Sequence, residues 1–339
     1  MIHSPATLVA RGGLWTQVQK TAQALRSLGV EVFVSTSPES DAVRSFDLCH
    51  IMGANMATYH IARELDRKGM PLVVSPVFFS LHSTSFLRVA LSAQKVFNKF
   101  VHGLWTDYGF IAEIAQWSRA VLPNTHGEAM LLRAGLGIPQ EKILPVPNGV
   151  DERFYSATPD LFRKRYGIEQ FILHVGNFWQ GRKNTLRLIR VLRDINRPAV
   201  IIGQSEDRTY YERCRQEASL NPRILLLDEL ANDSDLLASA YAACDVFVLP
   251  SMYETPGIAA LEAGLAGAKI VITKYGGTTE YFGEWAEYVE PTSDHSIAKG
   301  IYAALAKPKA AELREHIRSK FLWKTVGEST LDIYRKVLR

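Results

Sequence analysis

Short runs of β-branched and aliphatic residues recur along nearly the whole chain, and a stretch of helical period separates each run from the next. This alternation is what parallel sheets demand, because a parallel crossover takes a dozen or more residues and is usually a helix. In the first half the runs are VEVFVST (30–36), LCHIMG (48–53), PLVVSP (71–76), AVLPNT (120–125) and KILPVPN (142–148). In the second half they are FILHVGN (171–177), AVIIG (199–203), RILLLD (223–228), DVFVLPS (245–251), KIVITK (269–274) and AEYVEP (286–291). Runs that are apolar on both faces belong to sheets covered on both sides. The pattern therefore predicts an α/β chain of doubly wound parallel sheets.

At 339 residues the chain exceeds what one hydrophobic core supports, so two domains are expected. The turn-rich LPVPNGVDERFY, with Pro145, Pro147, Asn148 and Gly149, marks the crossing. The expected domains are 1–150 and 151–320, with the final helix, 321–339, packing back on the first. A net charge of +4 is too small for a sequence-independent nucleic-acid binder. No run reaches the roughly 18 apolar residues of a membrane span, and the first residues lack the pattern of a secretory signal. Cys49, Cys214 and Cys244 are odd in number and far apart, which suits reduced thiols in a cytoplasm.

The most informative segment is PSMYETPGIAALEAGLAGAKIVITKYGG, residues 250–277. A strand ends at Ser251, Glu254 lies in a polar turn, and Pro256 suits the first position of a helix. Gly257 then leaves backbone N–H groups uncovered at that helix start, which makes an anion site. Glu262 follows eight residues after Glu254. A carboxylate at either end of such a site fits a ligand with hydroxyls on both sides of a diphosphate, as in a nucleotide sugar.

The Glu-x7-Glu arrangement, with Gly257 three residues after Glu254, resembles glycosyltransferase family 4, retaining enzymes of the GT-B fold. Matching pieces extend over nearly the whole chain: Gly12-Gly13, LPVPNGVD (144–151), HVGNFWQGRKN (174–184), YAACDVFVLPS and GGTTEYFG (276–283). The resemblance implies two Rossmann-like domains facing a central cleft. It implies that Glu254 contacts donor-sugar hydroxyls, that Glu262 holds the ribose, and that Thr255, Pro256, Gly257 and Ile258 line the sugar and diphosphate. Lys183, followed by Asn184, matches the diphosphate-binding lysine of the family. The arginine expected directly after the glycine is replaced by Asn177, and Arg182 is the candidate to supply the missing charge. Leu230, after RILLLD, is the expected contact for the base, which leaves UDP and GDP both open.

The first half carries the acceptor side. Gly12-Gly13 precede a helix, LWTQVQKTAQALRSLG, and their missing side chains let backbone approach a phosphate or sugar, Gly13 on the donor and Gly12 on the acceptor side. The family often has a histidine after the strand that corresponds to PLVVSP; Val77 or Phe78 stands there, and His82 is the nearest substitute. From Phe86 to Trp105, the residues Arg88, Ser92, Lys95, Lys99 and His102 fall in one stripe at helical spacing. That pattern fits either a core helix with a solvated basic face or a helix on an anionic membrane, near a lipid-linked acceptor. Asp233-Ser234-Asp235 spells the Asp-x-Asp of metal-dependent transferases, but its place before an apolar helix reads as capping. No metal and no resident cofactor are expected.

The reading is thus a retaining, metal-independent transferase that moves a sugar from a UDP- or GDP-linked donor to a glycan, lipid-linked or small-molecule hydroxyl. Two alternatives stand beside it. One is a nucleotide-sugar epimerase on the same fold; the other is a nucleotide-sugar-binding protein without transferase activity, motivated by Asn177 and Val77.

Overall fold

The computed structural model of the chain describes residues 1–9, 12–37, 45–98, 106–178, 181–205 and 207–339, the side chains of Val9 and Lys95 excepted. The chain divides into two compact units, one of Met1–Gly149 with Trp323–Arg339, the other of Val150–Leu322. Both are α/β units built on parallel sheets. Among the described residues, no helix is long and apolar enough to cross a membrane.

In the first unit, β1 (Ile2–His3), β2 (Cys49–Met52), β3 (Leu72–Ser75) and β4 (Ala120–Val121) pair in parallel in that order. Every residue of β2 and β3 is buried, so helices must cover both faces. The alternating run 30–36 does not form a strand. Its neighbour β1 spans only two residues and pairs with Ser35 alone, while Arg26 takes the Val32 carbonyl, with Nη2 at 2.6 Å. The run 142–148 likewise contributes one bridge, Val121 to Ile143, because Pro145 and Pro147 have no N–H to donate. The run 120–125 is a strand only over its first two residues.

The final helix, Trp323–Val337, packs against the helix Gly13–Ser27, where Gly327 lets it approach Ala24 closely. It is also pinned to the sheet: the Tyr334 hydroxyl lies 2.6 Å from Nδ1 of the buried His50 on β2, whose Nε2 lies 2.9 Å from Ser75 Oγ on β3.

In the second unit six parallel strands run β5 (Ile172–Val175), β6 (Ala199–Ile202), β7 (Ile224–Leu227), β8 (Val246–Leu249), β9 (Lys269–Thr273) and β10 (Ala286–Val289). Their order across the sheet is β7-β6-β5-β8-β9-β10. The winding therefore reverses between β5 and β8. In open α/β sheets such a reversal, at the carboxyl ends of the strands, is where ligands bind. Flanking helices have the expected asymmetry. In Thr185–Arg193, Leu186, Leu188, Ile189, Val191 and Leu192 are buried while Arg190 and Arg193 carry the outer face.

Candidate functional site

The two loops at the reversal bring Arg182, Lys183 and Glu254 together. The β5 loop ends at Asn184, whose left-handed backbone (φ 60°) is a conformation that asparagine tolerates better than most residues. Its amide donates to the carbonyls of Pro250 at 3.1 Å and Pro291 at 2.7 Å, and so ties the β5 loop to the ends of β8 and β10. The Met252 N–H donates to the Arg182 carbonyl at 2.8 Å and adds a backbone tie. Held this way, Lys183 Nζ donates to Glu254 Oε1 at 2.6 Å, and Arg182 Nη2 lies 3.6 Å from Oε2. The Arg182 guanidinium also sits 5.0 Å from the Tyr253 ring centre, and its Nε is buried without a hydrogen-bond partner among the described residues.

Glu254 itself is buried. Its N–H donates to the Tyr275 carbonyl at 3.1 Å and its carbonyl accepts from the Gly277 N–H at 2.9 Å. Between those partners, Gly276 has φ +100°, and any β-carbon there would overlap the Glu254 carbonyl. Only glycine fits. Burial pushes the Glu254 carboxyl upward, but the charges of Lys183 and Arg182 and the hydrogen bond from Lys183 outweigh it and hold the group below its ordinary range.

Eight residues on, Glu262 is also buried but has no such cations. It accepts from Asn232 Nδ2 and from the Tyr241 hydroxyl, both at 2.8 Å. Burial raises its carboxyl to about 7 against those two hydrogen bonds and the Arg153 charge. After Glu254 the helix Ile258–Leu265 begins two residues later than its sequence suggests. Gly257 (φ 82°) is the N-cap and Ile258 the first helical residue, so Pro256 lies outside the helix instead of opening it. The shift has a local cause: the chain turns at Gly257 under Leu249, which a β-carbon would meet at 3.0 Å. With no side chain capping it, this helix start leaves N–H groups available to an anion.

The remaining predicted residues fall in several places. Asn177 and Thr255 are half-buried at the carboxyl ends of β5 and β8, and Leu230 is half-buried against the unit's core beyond β7. Ser234, flanked by Asp233 and Asp235, caps the helix Asp235–Ala243 by accepting from the Leu237 N–H at 3.2 Å. In the first unit Gly12 is the N-cap and Gly13 the first residue of the helix Gly13–Ser27, so the pair forms the helix start rather than preceding it. His82 is exposed and stacks on Phe86, with ring centres 4.3 Å apart, an arrangement internal to the first unit. Lys99, His102 and Trp105 lie outside the described residues, as does the Lys95 side chain.

Sequence reasoning missed Asn232, Tyr241 and Arg153. Arg153 donates to the carbonyls of Asn232, Asp233 at 3.2 Å and Ser234 at 3.4 Å, which fixes the loop that presents Asn232 to Glu262. The available signal was the Asn-Asp-Ser-Asp run, which reads equally well as helix caps. The buried His174 beneath the site was also passed over. It lies 2.8 Å from the Val248 carbonyl and 3.3 Å from Thr185 Oγ1, and burial lowers it to about 4.

Known proteins resemble this chain in sequence and in fold. Residues 161–320 match the family model described as glycosyl transferases group 1. Over 317 residues the chain is 27% identical to an uncharacterized glycosyltransferase of Methanocaldococcus jannaschii, a match covering 87% of this chain and 75% of the relative. Over 193 residues it is 30% identical to the 2-deoxystreptamine glucosyltransferase of Streptomyces kanamyceticus, covering 52% of this chain and about half (49%) of that relative. The solved structure of Anabaena Alr3699/HepE in complex with UDP-glucose is similar with a TM-score of 0.71 at 18% identity, over 96% of each chain. At that identity the likeness is one of fold, and the fold is GT-B.

Proposed function

We propose that this chain, a glycosyltransferase with a group 1 domain at residues 161–320 and the GT-B fold, transfers a sugar from a UDP- or GDP-linked donor to an acceptor hydroxyl with retention at the anomeric carbon and without a metal. The observation that carries this reading is the Lys183–Glu254–Arg182 cluster beside the uncapped helix start at Gly257, at the strand-order reversal. In this reading the carboxylate of Glu254 accepts from donor-sugar hydroxyls. Lys183 and Arg182 face the diphosphate, where negative charge gathers as the glycosidic bond breaks. The unpartnered Nε of Arg182 supports that role, and Arg182 stands in for the arginine that Asn177 replaces. The backbone of Thr255, Gly257 and Ile258 lines the diphosphate, Pro256 the sugar, Glu262 the ribose, and Leu230 the base.

The bond from acceptor oxygen to anomeric carbon forms on the face from which the leaving phosphate departs. The acceptor proton passes to a phosphate oxygen. Lys183, Arg182 and the helix start carry the charge on that phosphate, and Asp233 and Asp235 flank a cap, which supports transfer without a cation. The first unit supplies the acceptor side, with Gly12 at a helix start whose first residue, Gly13, approaches the donor, and the acceptor is a glycan, lipid-linked or small-molecule hydroxyl.

The UDP-glucose bound in the HepE structure makes that donor the first to try. Incubation with UDP-glucose, other UDP-sugars and GDP-sugars, with and without simple acceptors, should show acceptor-stimulated release of the nucleoside diphosphate, unchanged in EDTA. Glu254→Ala and Lys183→Ala should abolish release. Tight donor binding with no release under any acceptor would favour a binding protein, and full turnover by either variant would overturn the roles of Glu254 and Lys183.

A second reading concerns location. The helix Thr84–Phe97 buries Leu87, Leu91 and Gln94 but exposes Phe86 (48%), Val89 (67%), Val96 (54%) and Phe97 (57%), with Leu81 (67%) just before it and Arg88 among them. Exposed aromatic and aliphatic residues mixed with basic ones favour contact with an anionic membrane surface on the cytoplasmic side. Partition to vesicles containing anionic lipid should weaken when Lys95 and Lys99 are reversed to Glu and again in Phe86→Ser. Binding unchanged by both discards it.

A further inference from the structure

Val77 follows β3 and has φ 54°, a left-handed backbone that a β-branched residue adopts only when its surroundings enforce it. What enforces it is a buried carboxylate. Glu128 Oε1 accepts from the N–H of Phe78, the next residue, at 2.7 Å, and Oε2 accepts from the Asn124 N–H at 2.7 Å. Both oxygens are therefore engaged by backbone, one from the loop after β3 and one from the loop after β4. Glu128 is itself set by the Thr125 hydroxyl, which accepts its N–H at 2.9 Å. Gln17, on the helix that opens at Gly13, donates to Asn124 Oδ1 at 3.0 Å and brings in a third element. Beside the turn, the Phe78 ring is buried and lies edge-on to Tyr108, 6.0 Å between centres.

A trans peptide points its C=O opposite to its N–H. With the Phe78 N–H turned inward to Glu128, the Val77 carbonyl is turned away from the interior. It accepts no hydrogen bond among the described residues. We infer that Glu128 is a positioning residue for transfer: it holds Val77 left-handed so that the Val77 carbonyl stands at the carboxyl edge of the first unit's sheet as a fixed acceptor for a substrate hydroxyl. The inference rests on the transferase reading and adds to it a residue that the sequence analysis did not single out.

Two measurements separate this inference from that reading. The first needs no activity: in the unmutated chain the Phe78 amide should exchange slowly although it lies in a loop, and it should lose that protection in Glu128→Gln. Rapid exchange of Phe78 in the native protein overturns the inference even if transfer is robust. The second uses the transfer assay. Glu128→Gln should lower kcat at least tenfold while UDP-glucose affinity stays within about twofold, since the donor residues belong to the other unit. Glycine adopts φ 54° without strain, so Val77→Gly added to Glu128→Gln should recover most of the lost kcat. Wild-type kcat in Glu128→Gln, or a loss that Val77→Gly leaves untouched, identifies Glu128 as merely structural and overturns the proposal. If the unmutated chain transfers nothing, the transferase reading fails and the amide exchange still decides the geometry.

Discussion

Lys183 Nζ lies 2.6 Å from Glu254 Oε1, and the carboxylate it meets is buried while the lysine side chain keeps 22% of its exposure. The pair is thus a charge held inside the protein by a partner that reaches it from the rim. Removing the partner alone strands the carboxylate, and breaking a buried pair from one side typically costs about 3 kcal/mol.

The stability of single and double variants should follow from that asymmetry. Lys183→Met should lose about 3 kcal/mol in urea unfolding of the second unit. Adding Glu254→Gln should return most of the loss, since no uncompensated charge then remains. Equal losses in the single and double variants would mean that the pair contributes no coupling.

Glu262 sets a pH dependence of the opposite kind. Its folded value of about 7 exceeds the ordinary 4.5, so the folded state holds the extra proton between those values. Its contribution is complete below pH 4.5 and is lost as pH rises through 7, about 3 kcal/mol at most. Unfolding midpoints at pH 5 and pH 8 should differ more for the native chain than for Glu262→Gln. An identical pH slope in both would show that the carboxyl is ionised throughout.

Tyr334→Phe should destabilise the first unit by about 2 kcal/mol, because the buried His50 Nδ1 loses its partner. Burial holds His50 down at about 3, below its ordinary 6.5. That contribution is present above pH 6.5 and fades as pH falls toward 3, so acid weakens this unit. Thermal scans at pH 7 and pH 4.5 report both effects, and a Tyr334→Phe melting temperature equal to that of the native chain would exclude the first.

Gly276→Ala should displace the backbone that positions Glu254 and lose about 2 kcal/mol or more, since it adds a left-handed strain to a steric overlap. UDP-glucose binding, read by calorimetry, should weaken in step. Native affinity in this variant would show that the turn at Tyr275–Gly277 does not set the carboxylate.

The strands of the second unit were legible because most are apolar on both faces and helices of the right period separate them, as in 199–203 and 245–251. Alternation alone misled at 30–36, where pairing depended on a neighbour too short to supply it. Glu254 and Lys183 were found through a resemblance, and the sequence offered no direct sign that they touch across 71 residues. Partners such as Asn232 for Glu262, or Glu128 for the Phe78 amide, are long-range choices made by packing. The left-handed turn at Val77 was hidden more deeply still, because valine is among the residues that least suggest it.

The bridge between Val150 and Leu322 closes the second unit where the chain enters and leaves it, with the Val150 N–H donating to the Phe321 carbonyl at 2.7 Å. On the other side of the same two junctions, Gly149 lies against Trp323, leaving no room for a β-carbon. The second unit is therefore wired as a removable cartridge. Two cuts at adjacent points release residues 150–322 as one piece, and the ends left behind already touch, so a linker of a few residues would reseal the first unit.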